Sequence, residues 1–311
     1  MRILILGAGG IGAYFGARLQ AAGGDVSFLV RPARAKNLKQ HGLRIYSPLG
    51  NYKFTPKLLT TAKPGFDVII LACKAYDLDS AELAIARAVG PETVIVPLLN
   101  GIRHLHSLDT RFGPQQVLGG LAHLSLMVAP DGSIQHLSQF HRLMIGSRTP
   151  HPSPWLQPLA DLFAKTDIEF TLAADIEQEM WNKFVFISTL AGATCAMRAN
   201  VGEILATSHG EAFMLGLLAE CEAVAKANQR APAPAQLAVY RNSLTDRSST
   251  LCASMLRDVE RGGPTEADHI LGDMLARGKR AGIATPNLVF AYTHLQAYEQ
   301  ARPRLFPATG V

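Results

Sequence analysis

The chain has 311 residues, 48% of them hydrophobic and 18% charged, with a formal net charge of +5 and four cysteines; these figures exclude a disordered tail, a disulfide miniprotein and a nucleic-acid coat. At roughly 150 residues per domain the length suggests two medium domains, each able to bury a core. The small cationic surplus comes without Lys/Arg-rich runs and suits an enzyme that handles small anions.

Residues 1 to about 170 alternate short β-branched runs with helical stretches, the pattern of a parallel sheet buried on both faces. The runs are Arg2–Leu6, Val26–Val30, Val68–Ala72 and Thr93–Pro97, with weaker candidates at Leu43–Tyr46, Tyr52–Leu58 and Gln116–Gly119. After Gly132, Ser133–Leu137 and Arg142–Ile145 read as a hairpin pair, and the Pro-rich segment His151–Pro158 precedes a last α/β element ending near Phe170. Beyond about Asp175 the strand signal vanishes. Helices are expected near 175–205, 208–229, 234–261, 265–280 and 286–301, with Thr265 and Asp268 spaced as a capping box. The expected fold is therefore α/β: a doubly wound parallel sheet over residues 1–172 and an all-helical domain over 173–311.

Gly7-Ala8-Gly9-Gly10-Ile11-Gly12 has the spacing G-x-G-x-x-G, directly after a strand and opening a helix. In that placement the first glycine permits a tight turn, the second lets backbone approach a pyrophosphate, and the third lets helix and strand pack closely. Arg31 ends the second strand, 19 residues after Gly12, where an NAD site carries an acid for the ribose 2′-hydroxyl. A guanidinium there pairs with a 2′-phosphate, so NADPH is favoured over NADH. Arg34 and Lys36 are either further members of that pocket or solvated loop charges. Lys74 and Asn100 leave the third and fourth strong strands, where open α/β sheets bind ligands.

The cysteines, Cys73, Cys195, Cys221 and Cys252, are far apart and show no Cys-x-x-Cys spacing, as expected of reduced thiols in the cytoplasm. Phe184–Met197, the longest apolar stretch, falls short of the roughly 20 residues of a membrane span. His104, His106, His123, His136 and His141 lack the spacing of a metal site. No G-x-S-x-G elbow points to a hydrolase.

In order along the chain, the glycine motif, Arg31, Lys74-Ala75, Asn100-Gly101, Glu179-Met180-Trp181-Asn182-Lys183-Phe184, Ser254-Met255-Leu256-Arg257-Asp258 and Thr265-Glu266-Ala267-Asp268 resemble the ketopantoate reductase (2-dehydropantoate 2-reductase) family over nearly the full length. The resemblance implies an NADP(H)-binding Rossmann domain, an all-helical second domain, an active site between them, a small 2-keto acid as substrate, and a monomer or homodimer. It implies Lys183 as general acid, with Glu266 organising the site, Ser254 on the substrate carboxylate and Asn100 near the reacting groups. Cofactor contacts are implied at Gly7, Gly9, Gly10, Ile11, Gly12, Arg31 and Lys74, shared with Asn100 and Glu266. A helix-dipole role for Glu266, a solvated charge at Lys183 and a backbone-bonded hydroxyl at Ser254 are the plain alternatives.

Enzymes acting on ketopantoate itself carry asparagines one and two turns after the lysine and three residues before the serine; this chain has Ile187, Ala191 and Leu251. The reaction type is thus better supported than the substrate, and a more apolar 2-keto acid competes. A 6-phosphogluconate-type dehydrogenase, with Arg198 taking a phosphate, and an NADPH-binding regulator without turnover are the other readings.

Overall fold

Val68-Ile69-Ile70-Leu71 is buried at every position, as a strand covered on both faces must be. It is the sixth strand (β6) of a computed structural model that describes residues 1–306. The chain divides into two units: Met1–Leu99 with His104–Glu177, and Asn100–Arg103 with the residues from Gln178 onward.

In the first unit the main sheet contains β1 (Arg2–Leu6), β2 (Asp25–Leu29), β5 (Lys57–Leu59), β6 and β7 (Val94–Pro97). Its order is β5-β2-β1-β6-β7 and every pairing is parallel. Ile3, at the centre, pairs with Val26 on one side and Val68 on the other. Helices α1 (Gly10–Ala21), α2 (Pro32–His41), α3 (Leu78–Ile85) and α4 (Arg103–Phe112) make the connections. Burying each Ile, Val or Phe of this sheet contributes about 1.5–3 kcal/mol.

Two smaller sheets complete the unit. One has β3 (Leu43–Tyr46), β4 (Tyr52–Phe54), β9 (Leu126–Val128) and β10 (Ile134–His136) in the order β4-β3-β10-β9; the other has β8 (Gly119–His123), β11 (Arg142–Gly146) and β12 (Glu169–Leu172) in the order β12-β11-β8. The hairpin expected between Ser133–Leu137 and Arg142–Ile145 does not form. β10 pairs with β9 and β3, and β11 with β8 and β12, so the adjacent runs serve different sheets. Tyr52–Leu58 is likewise two strands, since Pro56 has no N–H to continue a ladder. The expected Gln116–Gly119 strand reduces to one bridge, Ile95 with Val117, before β8 begins.

Arg18 and Tyr14 of α1 tie that helix to both small sheets. The Arg18 guanidinium, almost fully buried, pairs with Asp167 and donates to Tyr14 Oη (3.1 Å), Tyr52 Oη (3.3 Å) and the Leu49 carbonyl (3.2 Å). His136 and His141 flank Tyr14. Their Nε2 atoms face the carbonyls of Phe140 (3.2 Å) and Asp167 (2.7 Å), so each Nε2 carries the hydrogen. Each Nδ1 is then left to accept, from Ser47 Oγ (2.9 Å) in His136 and from Tyr14 Oη (2.6 Å) in His141. Burial, with Arg18 adding to it, holds both imidazoles below the ordinary 6.5. Below that pH the unfolded chain takes up protons that the folded histidines refuse, so these two groups lose stability as pH falls. Urea unfolding midpoints are expected to drop between pH 7.5 and pH 5.5, with a shallower drop in a His136→Gln, His141→Gln variant; equal slopes would remove the histidines from the account.

The second unit is helical. α6 (Ile176–Met197) stops where Arg198 takes a positive φ of 49°, and Asn200 then caps α7 (Val201–Leu205) in a full capping box with Glu203. α8 (Gly210–Ala227) packs against α7, α9 (Pro234–Leu244), α11 (Asp273–Arg280) and α12 (Pro286–Leu305). One helix was expected over 234–261. Instead α9 ends at Leu244 and α10 spans Ser254–Glu260, because Asp246 Oδ1 accepts from the Ser248 N–H and hydroxyl (2.9 and 2.7 Å) and offers the backbone a turn. The expected Thr265–Asp268 capping box is also absent. The Thr265 N–H and hydroxyl both donate to Glu299 Oε1 (2.6 and 2.7 Å), and residues Asp268–Gly272 wind as a single π turn.

Candidate active site

In the sheet unit, β1 delivers the chain into Gly7, whose N–H donates to the Leu29 carbonyl at 3.0 Å. A Cβ on Gly12 would collide with the Gly7 carbonyl oxygen and press on Ile5, so the turn and helix meet this closely only without a side chain there. A Cβ on Gly9 would meet nothing, which leaves room for a ligand against the backbone. Gly9 is the N-cap of α1 with no side-chain cap, and no acid stands in the first turn with Gly10 and Ile11. Donors, open space and positive helix end together fit a pyrophosphate.

Arg31 is the N-cap of α2 and 75% exposed, and its Nη2 donates to Asp77 Oδ1 at 2.7 Å. Asp77 closes a 3-10 turn, Ala75–Asp77, whose N-cap is Lys74. Arg34 is tied into the fold: its guanidinium donates to the carbonyls of Ala8 (3.0 Å) and Gly132 (2.9 Å) and to Asn37 Oδ1 (3.0 Å), bracing the glycine turn. Lys36 stays exposed.

In the helical unit, Lys183 sits on α6 and its Nζ donates to Asn100 Oδ1 at 3.0 Å. Burial pulls the ammonium down to about 8, and the Glu266 carboxylate pulls the other way. Glu266 is 5% exposed and belongs to the turn leading into the π segment, where its carbonyl accepts from the N–H groups of His269 (3.1 Å) and Ile270 (3.0 Å). Lys183, Asn100 and Glu266 thus form one group. Ser254 stands apart from it: the hydroxyl is exposed at the first residue of α10 and no hydrogen bond joins it to the other three among the described residues.

Several supports of this group escape a reading of the chain alone. Gly101 has φ of 79°, and a Cβ there would press on the His269 carbonyl and ring, so Asn100 is presented by a turn only glycine fits. Arg103 Nη1 donates to the Asp268 carbonyl (3.4 Å) and Tyr292 Oη to Asp268 Oδ1 (2.5 Å). Thr194 Oγ1 accepts from the Ala253 N–H (3.3 Å), and the carbonyls of Ser249 and Leu251 accept from Gly202 and Val201, which fastens the start of α10 beside α6 and α7. The pairing of Asn100 with the lysine was signalled only by the residue types. Cys195 and Cys221 have no part in such chemistry, because burial pushes both thiols up to about 12.

The arrangement can hold a proton at Nζ with modest affinity, next to an acceptor, Asn100 Oδ1, that fixes its direction. Residues 3–150 match the family model described as ketopantoate reductase PanE/ApbA, and residues 175–299 match the corresponding C-terminal model. The chain is 38% identical over 301 residues to the uncharacterized oxidoreductase YkpB of Bacillus subtilis, a match covering 96% of this chain and 99% of that one. Among solved structures it is similar to 2-dehydropantoate 2-reductase from Geobacter metallireducens, with TM-score 0.87, 28% identity and coverage of 96% and 99%. In fold it also matches D-mandelate dehydrogenase with NADH and anilino(oxo)acetate, with TM-score 0.86, 22% identity and coverage of 97% and 99%.

Proposed function

The chain belongs to the ketopantoate reductase family of oxidoreductases, and from that premise we propose that it reduces the ketone of a 2-keto acid with NADPH, Lys183 serving as general acid. The observation that carries the reading is the Lys183–Asn100 pair beside buried Glu266. Bound NADPH supplies a hydride. Lys183 holds a proton at Nζ and gives it to the carbonyl oxygen, on which alkoxide charge develops as the carbon is reduced. Asn100 Oδ1 orients the ammonium by accepting one N–H, and Glu266 offsets the burial that would otherwise strip its proton. Ser254 is the candidate for the substrate carboxylate. Gly7, Gly9, Gly10, Ile11, Gly12, Arg31 and Lys74 are the proposed cofactor contacts.

The first candidate substrate is 2-dehydropantoate, which would place the protein in pantothenate biosynthesis. A second, more apolar 2-keto acid is favoured by Ile187 and Ala191, one and two turns beyond Lys183 on α6, and by Leu251, which leaves 38% of its surface exposed three residues before Ser254. A buried substrate hydroxyl without a partner costs about 1–3 kcal/mol. Four free cysteines accord with work in the cytoplasm, and among the described residues no helix is long and apolar enough to cross a membrane. NADPH oxidation followed over 2-dehydropantoate and 2-keto acids with apolar side chains tests both readings. The highest kcat/KM on 2-dehydropantoate would exclude the apolar alternative, and no oxidation with any of them would exclude the reductase.

A further inference from the structure

We propose that Asp77 sets the cofactor preference: it holds Arg31 in an ion pair that a 2′-phosphate must displace, so the site takes a nucleotide lacking that phosphate nearly as well as one bearing it. The proposal rests on the reading of Gly7–Gly12 as a dinucleotide turn. Arg31 lies two residues beyond the end of β2 and Asp77 six beyond the end of β6, and these strands flank β1 in the sheet. The 2.7 Å pair therefore reaches across the end of β1, the strand that delivers the glycine turn. A dinucleotide running from that turn toward β2 places its adenosine ribose where the two side chains meet.

The two charges act in opposite directions there. Arg31 attracts a 2′-phosphate. Asp77 repels it, and its carboxylate can accept a hydrogen bond from a ribose 2′-hydroxyl, the part an acid at the end of the second strand takes elsewhere. Arg34 has three of its five N–H donors on the carbonyls of Ala8 and Gly132 and on Asn37, which ties its guanidinium to the glycine turn. The site thus carries both recognition chemistries, one from each loop. Because Arg31 is 75% and Asp77 35% exposed, their coupling is that of a surface ion pair, and the shift it produces is of modest size.

The experiment is calorimetric titration of the full chain with 2′,5′-ADP and with 5′-ADP. The wild type is expected to bind the two within about tenfold of each other, and Asp77→Asn to raise the preference for 2′,5′-ADP by about fivefold. In an Arg31→Ala background the same Asp77→Asn change is expected to raise 2′,5′-ADP affinity by less than it does with Arg31 present, because only direct repulsion is then relieved; an equal rise in both backgrounds would mark a general change in surface charge and overturn the competition for Arg31. A ratio moved less than twofold by Asp77→Asn, or a wild-type preference beyond about a hundredfold, would overturn the proposal while leaving the nucleotide site in place. Failure of the wild type to bind either nucleotide would overturn both.

Discussion

Lys183→Ala lowers kcat for ketone reduction by about 10²–10⁴-fold, the range for loss of a positioned general acid. Nucleotide binding, read by nicotinamide fluorescence, stays close to wild type, because Lys183 and the glycine turn belong to different units of the chain. The pH dependence follows from the same group. Reduction needs the ammonium, so the rate is full below about 8 and falls as pH rises through that value, while oxidation of the alcohol needs the neutral amine and rises over the same interval. Glu266→Gln removes the carboxylate that keeps the proton on, so the falling limb moves to lower pH. A uniform drop in rate at every pH, with the limb unmoved, would reduce Glu266 to a structural part. A Lys183→Ala enzyme with more than a tenth of wild-type kcat would remove the lysine from the chemistry.

Glu220→Ala is expected to cost about 2–4 kcal/mol of stability. Glu220 lies on α8 and is 9% exposed, yet its carboxylate is fully used: Oε1 accepts from the N–H (2.9 Å) and Nδ2 (2.8 Å) of Asn287, and Oε2 from the Leu288 N–H (2.9 Å). Asn287 and Leu288 are the second and third residues of α12, whose N–H groups have no partner within their own helix. The N-cap, Thr285, supplies no side-chain bond, so a carboxylate from another helix does the capping and meets the positive end of the helix dipole. Alanine leaves these donors buried without an acceptor. Urea unfolding at an unchanged m-value measures the loss, and a value under about 1 kcal/mol would show that water replaces the carboxylate.

What the chain revealed by itself was local. The glycine turn, its strand and its helix lie within 20 residues, and the count to Arg31 follows a fixed strand-helix-strand spacing. Asp77 is 46 residues from Arg31, Asn100 is 83 from Lys183 and Glu220 is 67 from Asn287, and no period or spacing joins such pairs. The hairpin expected after Gly132 failed for the same reason. Two adjacent alternating runs resemble a hairpin, but their partners are distant: β10 pairs with β9 and β3, β11 with β8 and β12, and His136 at the end of β10 and His141 just before β11 both bond Tyr14. The break between α9 and α10 was legible in principle, since Thr245-Asp246-Arg247-Ser248-Ser249-Thr250 is rich in side chains that bond their own backbone. The family resemblance supplied Lys183, Glu266 and Ser254; a hydrogen bond then joined Lys183 to Asn100, the Glu266 charge acts on the same ammonium, and among the described residues no hydrogen bond brings in Ser254.

Asn100–Arg103 belongs to the helical unit although the residues before and after it belong to the sheet. These four residues supply the acceptor for Lys183, the glycine that meets His269 and the arginine on the Asp268 carbonyl. The gene therefore has no single crossover point at which one relative's helical half could be spliced onto another's sheet. A chimera joined near residue 178 would confront a foreign lysine with a resident asparagine turn. Recombination meant to exchange substrate range has to carry this short tetrapeptide along with the distant half it serves.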